Sequence, residues 1–172
     1  MNGGSRLKNW VVRAFFASYM YALFKFIVLK FGSTDVEFLW VRLMRNSTNP
    51  ECIAARLHAD NLIHLKEISR ASDSMSGHSL LNLIGNVGIF VPLGIFLGVL
   101  AKSGKLTLAG SFWSSLGVSL VLDYTQVLFS IGTFDVDDLI LNSTGGSIGF
   151  VVYALCARLT TAASSVPNGK PA

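Results

Sequence analysis

Four stretches of this chain are long and apolar enough to cross a lipid bilayer: residues 10–31, 80–101, 106–131 and 139–160. A helix rises about 1.5 Å per residue, so about 20 residues cross the ~30 Å of hydrocarbon. Charged residues make up only 14% of the chain and hydrophobic ones 51%, where a soluble domain has close to a quarter charged. The mean hydropathy of +0.53 agrees. The expected fold is therefore all-α, an integral membrane bundle of four transmembrane helices. The first stretch follows a short basic N-terminus and is broken by Arg13, Lys25 and Lys30. It exceeds a typical signal-peptide core and no small-x-small site follows it, so an uncleaved helix is expected. Pro92 is expected to kink the second span.

Loop charges set the expected orientation. The loop 102–105 carries Lys102 and Lys105 and no acid, and basic residues flank both outer spans at Arg6, Lys8, Arg158 and Lys170. The loop 130–138 carries Asp135, Asp137 and Asp138 and no base. The positive-inside rule then places both termini in the cytoplasm, N-in and C-in. Residues 32–79 form an outer segment. It is too polar to span, and its amphipathic helical pattern over 50–70 (Ile53, Leu57, Leu65, Ile68) suits the membrane surface or a cap on the bundle. The domain reading is one membrane domain over 1–161, with its motif core at 80–150 and a disordered tail over 162–172. The topology puts Cys52 and Cys156 on opposite sides, too far apart for a disulfide. No Cys-x-x-Cys spacing occurs, His58, His64 and His78 lie outside the spans, and no cofactor is expected. The basic residues form no patch interleaved with aromatics, which argues against a nucleic-acid partner.

Polar residues fall at one depth within the spans. Asn82 and Asn86 are a turn apart near the outward end of the second. Asp123 and Gln126 lie in the outward part of the third, and Asp138 and Asn142 open the fourth. Each pair has a spacing that shares a helix face. Lys25, in the outward part of the first span, is the candidate charge partner. All lie within about 10–15 Å of the outer boundary by the helical rise. They are expected to line one polar pocket that opens outward, with Asp135 and Asp137 at its mouth. Gly94-x-x-x-Gly98 and Gly145-x-x-x-Gly149 are small-xxx-small patterns that let helix backbones approach closely.

Each group has a plainer reading beside the functional one. Asp135, Asp137 and Asp138 could hold a divalent cation, or Asp137 or Asp138 could cap the last helix. Asp123 is mid-helix and cannot cap. It is either an interhelical partner of Lys25 or Asn86 or a working acid, since intramembrane carboxylates are costly to keep. Asn82, Asn86 and Asn142 are interhelical glue, or donors to the phosphate or sugar of a lipid-linked molecule. No Ser or Cys stands at a defined spacing from a His, and no phosphate-binding glycine loop follows a strand.

Four motifs in order resemble the VanZ-like family of bacterial membrane proteins. They are Asn61-Leu62-Ile63, then Asn82-x-x-x-Asn86-x-x-x-Phe90-x-Pro92-x-Gly94, and Ser119-x-x-x-Asp123-x-x-Gln126. The last is Phe134-Asp135-x-Asp137-Asp138-x-x-x-Asn142-x-x-Gly145-x-x-x-Gly149. The chain departs from the family pattern at three places. His64 and Leu65 replace a Pro-Phe pair, Asp123 replaces a Glu, and an Arg usual before the last motif gives way to Ile131-Gly132-Thr133. The resemblance implies a multi-pass protein of the bacterial cytoplasmic membrane, from a family named for low-level resistance to teicoplanin. The leading expectation is a non-enzymatic bundle that binds or protects an outward-facing envelope lipid or lipid-linked precursor. One alternative is a membrane-embedded hydrolase or transferase on a lipid phosphate, with Asp135, Asp137 and Asp138 holding a divalent ion and Asp123 as base. Another is a small transporter or assembly subunit. Four spans are few for a transporter without homo-oligomer formation, which the sequence leaves open, and no internal repeat is seen.

Overall fold

Among the described residues five helices in chain order carry the fold: α1 (Gly3–Leu29), α2 (Val36–Thr48), α3 (Gly77–Leu100), α4 (Leu108–Leu128) and α5 (Val136–Ser164). The computed structural model describes residues 3–29, 36–49, 51, 54, 77–101, 106–132 and 134–164, and no strand occurs among them. The helix expected over 50–70, with Asn61, His64 and Cys52, lies almost entirely outside these residues.

Among the described residues three helices are long and apolar enough to cross a membrane, over Arg6–Ile27, Leu83–Leu100 and Val136–Ala162. A fourth span, over 106–131, is expected from apolar length and corresponds to α4. That helix has 21 residues, enough to span, but one whole face carries Ser111, Ser115, Ser119, Asp123 and Gln126. These polar groups offset its apolar remainder. α4 is thus a helix whose polarity is hidden inside the bundle, while Trp113, Val121 and Tyr124 face out. Pro92 sits inside α3 without ending it. At the other boundary α5 runs through Ser164, into the stretch expected to begin the tail.

α5 packs most extensively on α3 and next on α4. The α3–α5 contact is made by backbone. A Cβ on Gly145 would overlap the Val87 carbonyl oxygen, one on Gly149 the Val91 carbonyl oxygen, and one on Gly94 the Gly146 carbonyl oxygen. Lipid tails are as apolar as leucine, so burial alone does not drive spanning helices together. Close packing does, and only glycine permits this separation. Further along the pair, the Tyr153 ring lies over Gly98.

α1 joins differently, through side chains. Leu23 is buried with Phe90, Leu93 and Leu122, and Phe16, Tyr19, Met20 and Ile27 pack around them. Tyr19 donates its hydroxyl to the Ile89 carbonyl at 2.7 Å, and Phe16 meets Phe96 edge-on at 5.6 Å. Only 6% of the apolar window of α1 is buried, so most of this helix presents Trp10, Phe15, Tyr21 and Phe26 outward.

Candidate functional site

The helix ends near residues 129–138 are closed by specific local chemistry. Asp135 caps α5. Its Oδ1 accepts the Asp137 backbone N–H at 2.8 Å, and its carbonyl accepts from Leu139 at 3.3 Å. The cap is therefore Asp135, not Asp137 or Asp138 as the sequence suggested. The later pair lies in the first turn, where negative charge suits the helix dipole. The sequence places three acids close together, but only the chain's path decides which one stands at the half-helical position.

α4 ends in a Schellman turn. Ile131 N–H bonds the Gln126 carbonyl and Ser130 N–H bonds the Val127 carbonyl, both at 3.0 Å, with Ser130 in the left-handed region at φ 51°. Glycine usually fills that place because a Cβ is disfavoured there. Here α2 holds the serine instead. Asn46 Nδ2 donates to Ser130 Oγ at 2.7 Å and to the Leu128 carbonyl at 2.6 Å, and Arg42 Nη1 donates to the Ser130 carbonyl at 2.8 Å. Arg42 thus brings a guanidinium to the turn where the family's usual arginine is missing. Asn46 is buried, and no motif or spacing in the sequence marks it.

Inside that turn, three helices bring polar side chains together. Asn86 of α3 donates Nδ2 to Asp138 Oδ1 of α5. Asn142 of α5 donates Nδ2 to Ser119 Oγ of α4 at 2.8 Å. One turn deeper, Ser115 lies against Gly146, and Ser111 donates to the Gly146 carbonyl at 3.1 Å. The helices are antiparallel, so Ser115 opposite Gly146 and Ser119 opposite Asn142 put Asp123 opposite Asp138 one turn further out. Asp123 is within electrostatic reach of Asp138 and Asp135, and only 5% exposed.

Three buried polar atoms along this seam lack a hydrogen-bond partner among the described residues: Ser115 Oγ, Asp123 Oδ2 and Asn142 Oδ1. Burying such groups unpaired costs about 1–3 kcal/mol each, more for a charge. The serine stripe had a readable signal, namely Ser111, Ser115, Ser119 and Asp123 at an unbroken four-residue spacing. The family motif points to Ser119 alone of the three serines.

The other expected site residues lie elsewhere. Gln126 donates Nε2 to the Ile27 carbonyl of α1 at 2.8 Å and sits beside Gly132, so it ties α4 to α1. Lys25 is exposed, and the α1 link runs through Ile27 instead. The backbone of Asn82 belongs to α3, and its side chain is outside the description. Asp137 is 3% exposed. Among the described residues no group of three or more His, Cys, Asp or Glu is placed to hold a metal ion. A shallow groove lined by Ala157, Arg158, Thr161 and Ala162 lies near the far end of α5, away from the seam.

Comparison with known proteins adds an independent line. The chain is similar to Protein VanZ of Enterococcus faecium, 37% identical over 73 residues, which covers 42% of this chain and 44% of that protein. It therefore spans less than half the length of the curated relative it matches. No solved structure matches the chain. A family model described as VanZ/LLP1 matches residues 15–157, which takes in the second half of α1 and all of α2 as well as the polar seam of α3, α4 and α5. The chain belongs to the VanZ/LLP1 family.

Proposed function

We propose that this protein is a multi-pass protein of the bacterial cytoplasmic membrane that binds an outward-facing, lipid-linked envelope precursor without chemically changing it, and so contributes to glycopeptide (teicoplanin) tolerance. In this reading all of α1, α3, α4 and α5 cross the bilayer, with both termini inside. α4 crosses with its polar face shielded by α3 and α5, a common way for a polar span to exist.

The observation that carries the reading is the convergence of Asn86, Asp138, Asn142, Ser119 and Asp123 at one end of the bundle, under a turn clasped by Arg42 and Asn46. Amides and carboxylates suit the hydroxyls of a sugar head group. The Arg42 guanidinium above them supplies the charge complement for a phosphate. The hydrolytic alternative loses support because two of its metal-binding acids are engaged, Asp135 with the helix N-terminus and Asp138 with Asn86.

Native mass spectrometry of the protein extracted from its membrane tests this. The expected result is a retained lipid carrying phosphate and sugar, lost on Arg42→Ala. Bare protein, or only bulk phospholipid unaffected by that change, would refute the binding reading. Orientation is tested by cysteine labelling in a background free of Cys52 and Cys156. An impermeant reagent should reach a cysteine replacing Thr133 and not one replacing Ser103, and the reverse pattern overturns N-in/C-in.

A further inference from the structure

We propose that α2 is an interfacial helix whose Trp40, Val41 and Met44 side lies in the head-group boundary of the bilayer, so that the partner of this surface is lipid. This rests on the membrane setting, not on precursor binding or on which end of the bundle faces outward.

The level of α2 is set by its bonds. The apolar window of α1 ends at Ile27 and that of α5 begins at Val136, which marks one boundary of the hydrocarbon. Gln126 donates to the Ile27 carbonyl, so the last turn of α4 lies at the same level. Asn46 and Arg42 bond Leu128 and Ser130, just beyond it. α2 therefore sits at the boundary, neither in the hydrocarbon core nor out in bulk water. It is too short to cross, since its 13 residues rise only about 20 Å.

The two sides of α2 are reversed relative to a helix packed on a protein in water. Such a helix buries its apolar stripe and exposes its polar one. α2 turns the Asn46 amide and the Arg42 guanidinium inwards, with Leu39 and Leu43 half-buried beside them. Trp40 and Val41 are each 58% exposed and Met44 47%. All three lie about 100° or more round the helix from both Arg42 and Asn46. They form one surface, because Met44 is one turn on from both Trp40 and Val41. Glu37 and Thr48 share this side only at the two ends of the helix, and Arg45 flanks it. The reversal makes sense where the surroundings are themselves apolar.

Single exposed apolar side chains are ordinary, but three together at the edge of the hydrocarbon fit a boundary. An indole has an apolar body and one N–H donor, the combination that favours the head-group level. The aliphatic stem of Arg45 lets its charge reach water or lipid phosphate. A helix of this pattern lies in the plane of the interface with its apolar side about 5–10 Å deep. Lipid on one side and the α4–α5 turn on the other then hold α2 between them.

The test reads the fluorescence of Trp40 alone. Trp10→Phe and Trp113→Phe remove the other two indoles, both largely exposed. The protein is placed in nanodiscs of phosphatidylcholine brominated either near the glycerol end or near the methyl end of its acyl chains, and iodide is added to separate samples. Trp40 emission should be lost most with the glycerol-end bromine, less with the methyl-end bromine and least with iodide. Quenching by iodide and not by bromine overturns the proposal, because Trp40 then faces water. Quenching by neither overturns it too, because another part of the chain or a second copy then covers the face. Strongest quenching by methyl-end bromine places α2 in the hydrocarbon core and also overturns it. If the doubly changed protein fails to fold, Val41→Cys in a background free of Cys52 and Cys156 carries a nitroxide to the same face. Its relaxation should respond more to oxygen, which partitions into lipid, than to a water-soluble nickel chelate. The reverse order overturns the proposal.

Discussion

The two faces of α5 solve one problem in two ways. Towards α3 the interface is backbone on backbone, with Gly145, Gly149 and Gly94 each against a carbonyl of the facing helix. Towards α4 it is built on serine, with Ser111, Ser115 and Ser119 all fully buried. Both use small residues so that helices can approach closely in the absence of a hydrophobic drive. They differ in what is left over. On the glycine face the glycines bring no side-chain polar atoms, and the polar pair beyond them, Asn86 and Asp138, bond to each other. The serine face leads up to Asp123 and leaves three oxygens without partners among the described residues. A seam needed only for packing would gain from alanine at Ser115. The hydroxyl and carboxylate without partners among the described residues set this face apart from one built for packing alone.

The comparison breaks most decisively at the glycine face. Gly149→Leu would drive a side chain into the Val91 carbonyl. Backbone cannot retreat as a flexible side chain can, so the cost should be about 3 kcal/mol or more. The expected outcome is loss of the monodisperse protein in size-exclusion chromatography. Gly88→Ala is the matched control. A Cβ there meets nothing within 4 Å, so helix propensity should leave it neutral or stabilised by about 0.5–1 kcal/mol.

Next in size is the Asn86–Asp138 bond that joins the two regions. Asn86→Ala leaves a half-buried carboxylate without this donor, and should lower stability by about 1–3 kcal/mol in thermal unfolding. Asn86→Asp should be worse, because it sets two acids face to face. Should Asn86→Ala prove neutral, the polar cluster would be incidental to packing.

The α2 clasp should matter less to global stability and more to local opening. Asn46→Ala removes both bonds to the α4–α5 turn. We expect about 1 kcal/mol, seen as faster hydrogen exchange at 129–132 with little change in α3. Ser130→Gly loses the Asn46 bond to Oγ but relieves the left-handed strain, so the two effects should nearly cancel.

The smallest effects separate the two kinds of serine. Ser119→Ala removes one interhelical hydrogen bond, worth about 0.6 kcal/mol on average in membranes. Ser115→Ala should be neutral or slightly stabilising, since its hydroxyl has no partner to lose among the described residues. If the order is reversed, an unseen partner satisfies Ser115.

By itself the sequence determined the all-helical class, the membrane setting and the place of α1, α3 and α5, because apolar length and low charge leave few other solutions. It also determined which motif residues matter to family membership, since their spacing survives without coordinates. The spacing of Asp138 and Asn142 showed that they share a face of α5, but not that one reaches α3 and the other α4. That division depends on how α5 is rotated between its neighbours, which the glycines fix by choosing where the backbones touch. Tertiary structure alone turned Gln126 towards Ile27, left Lys25 exposed and made Asp135 the cap. It also brought Asn46 and Arg42 across more than 80 residues to the α4–α5 turn. Periodicity encodes the face on which a residue lies, through local geometry. The partner on that face is set by the packing of other helices, and no local rule carries that information.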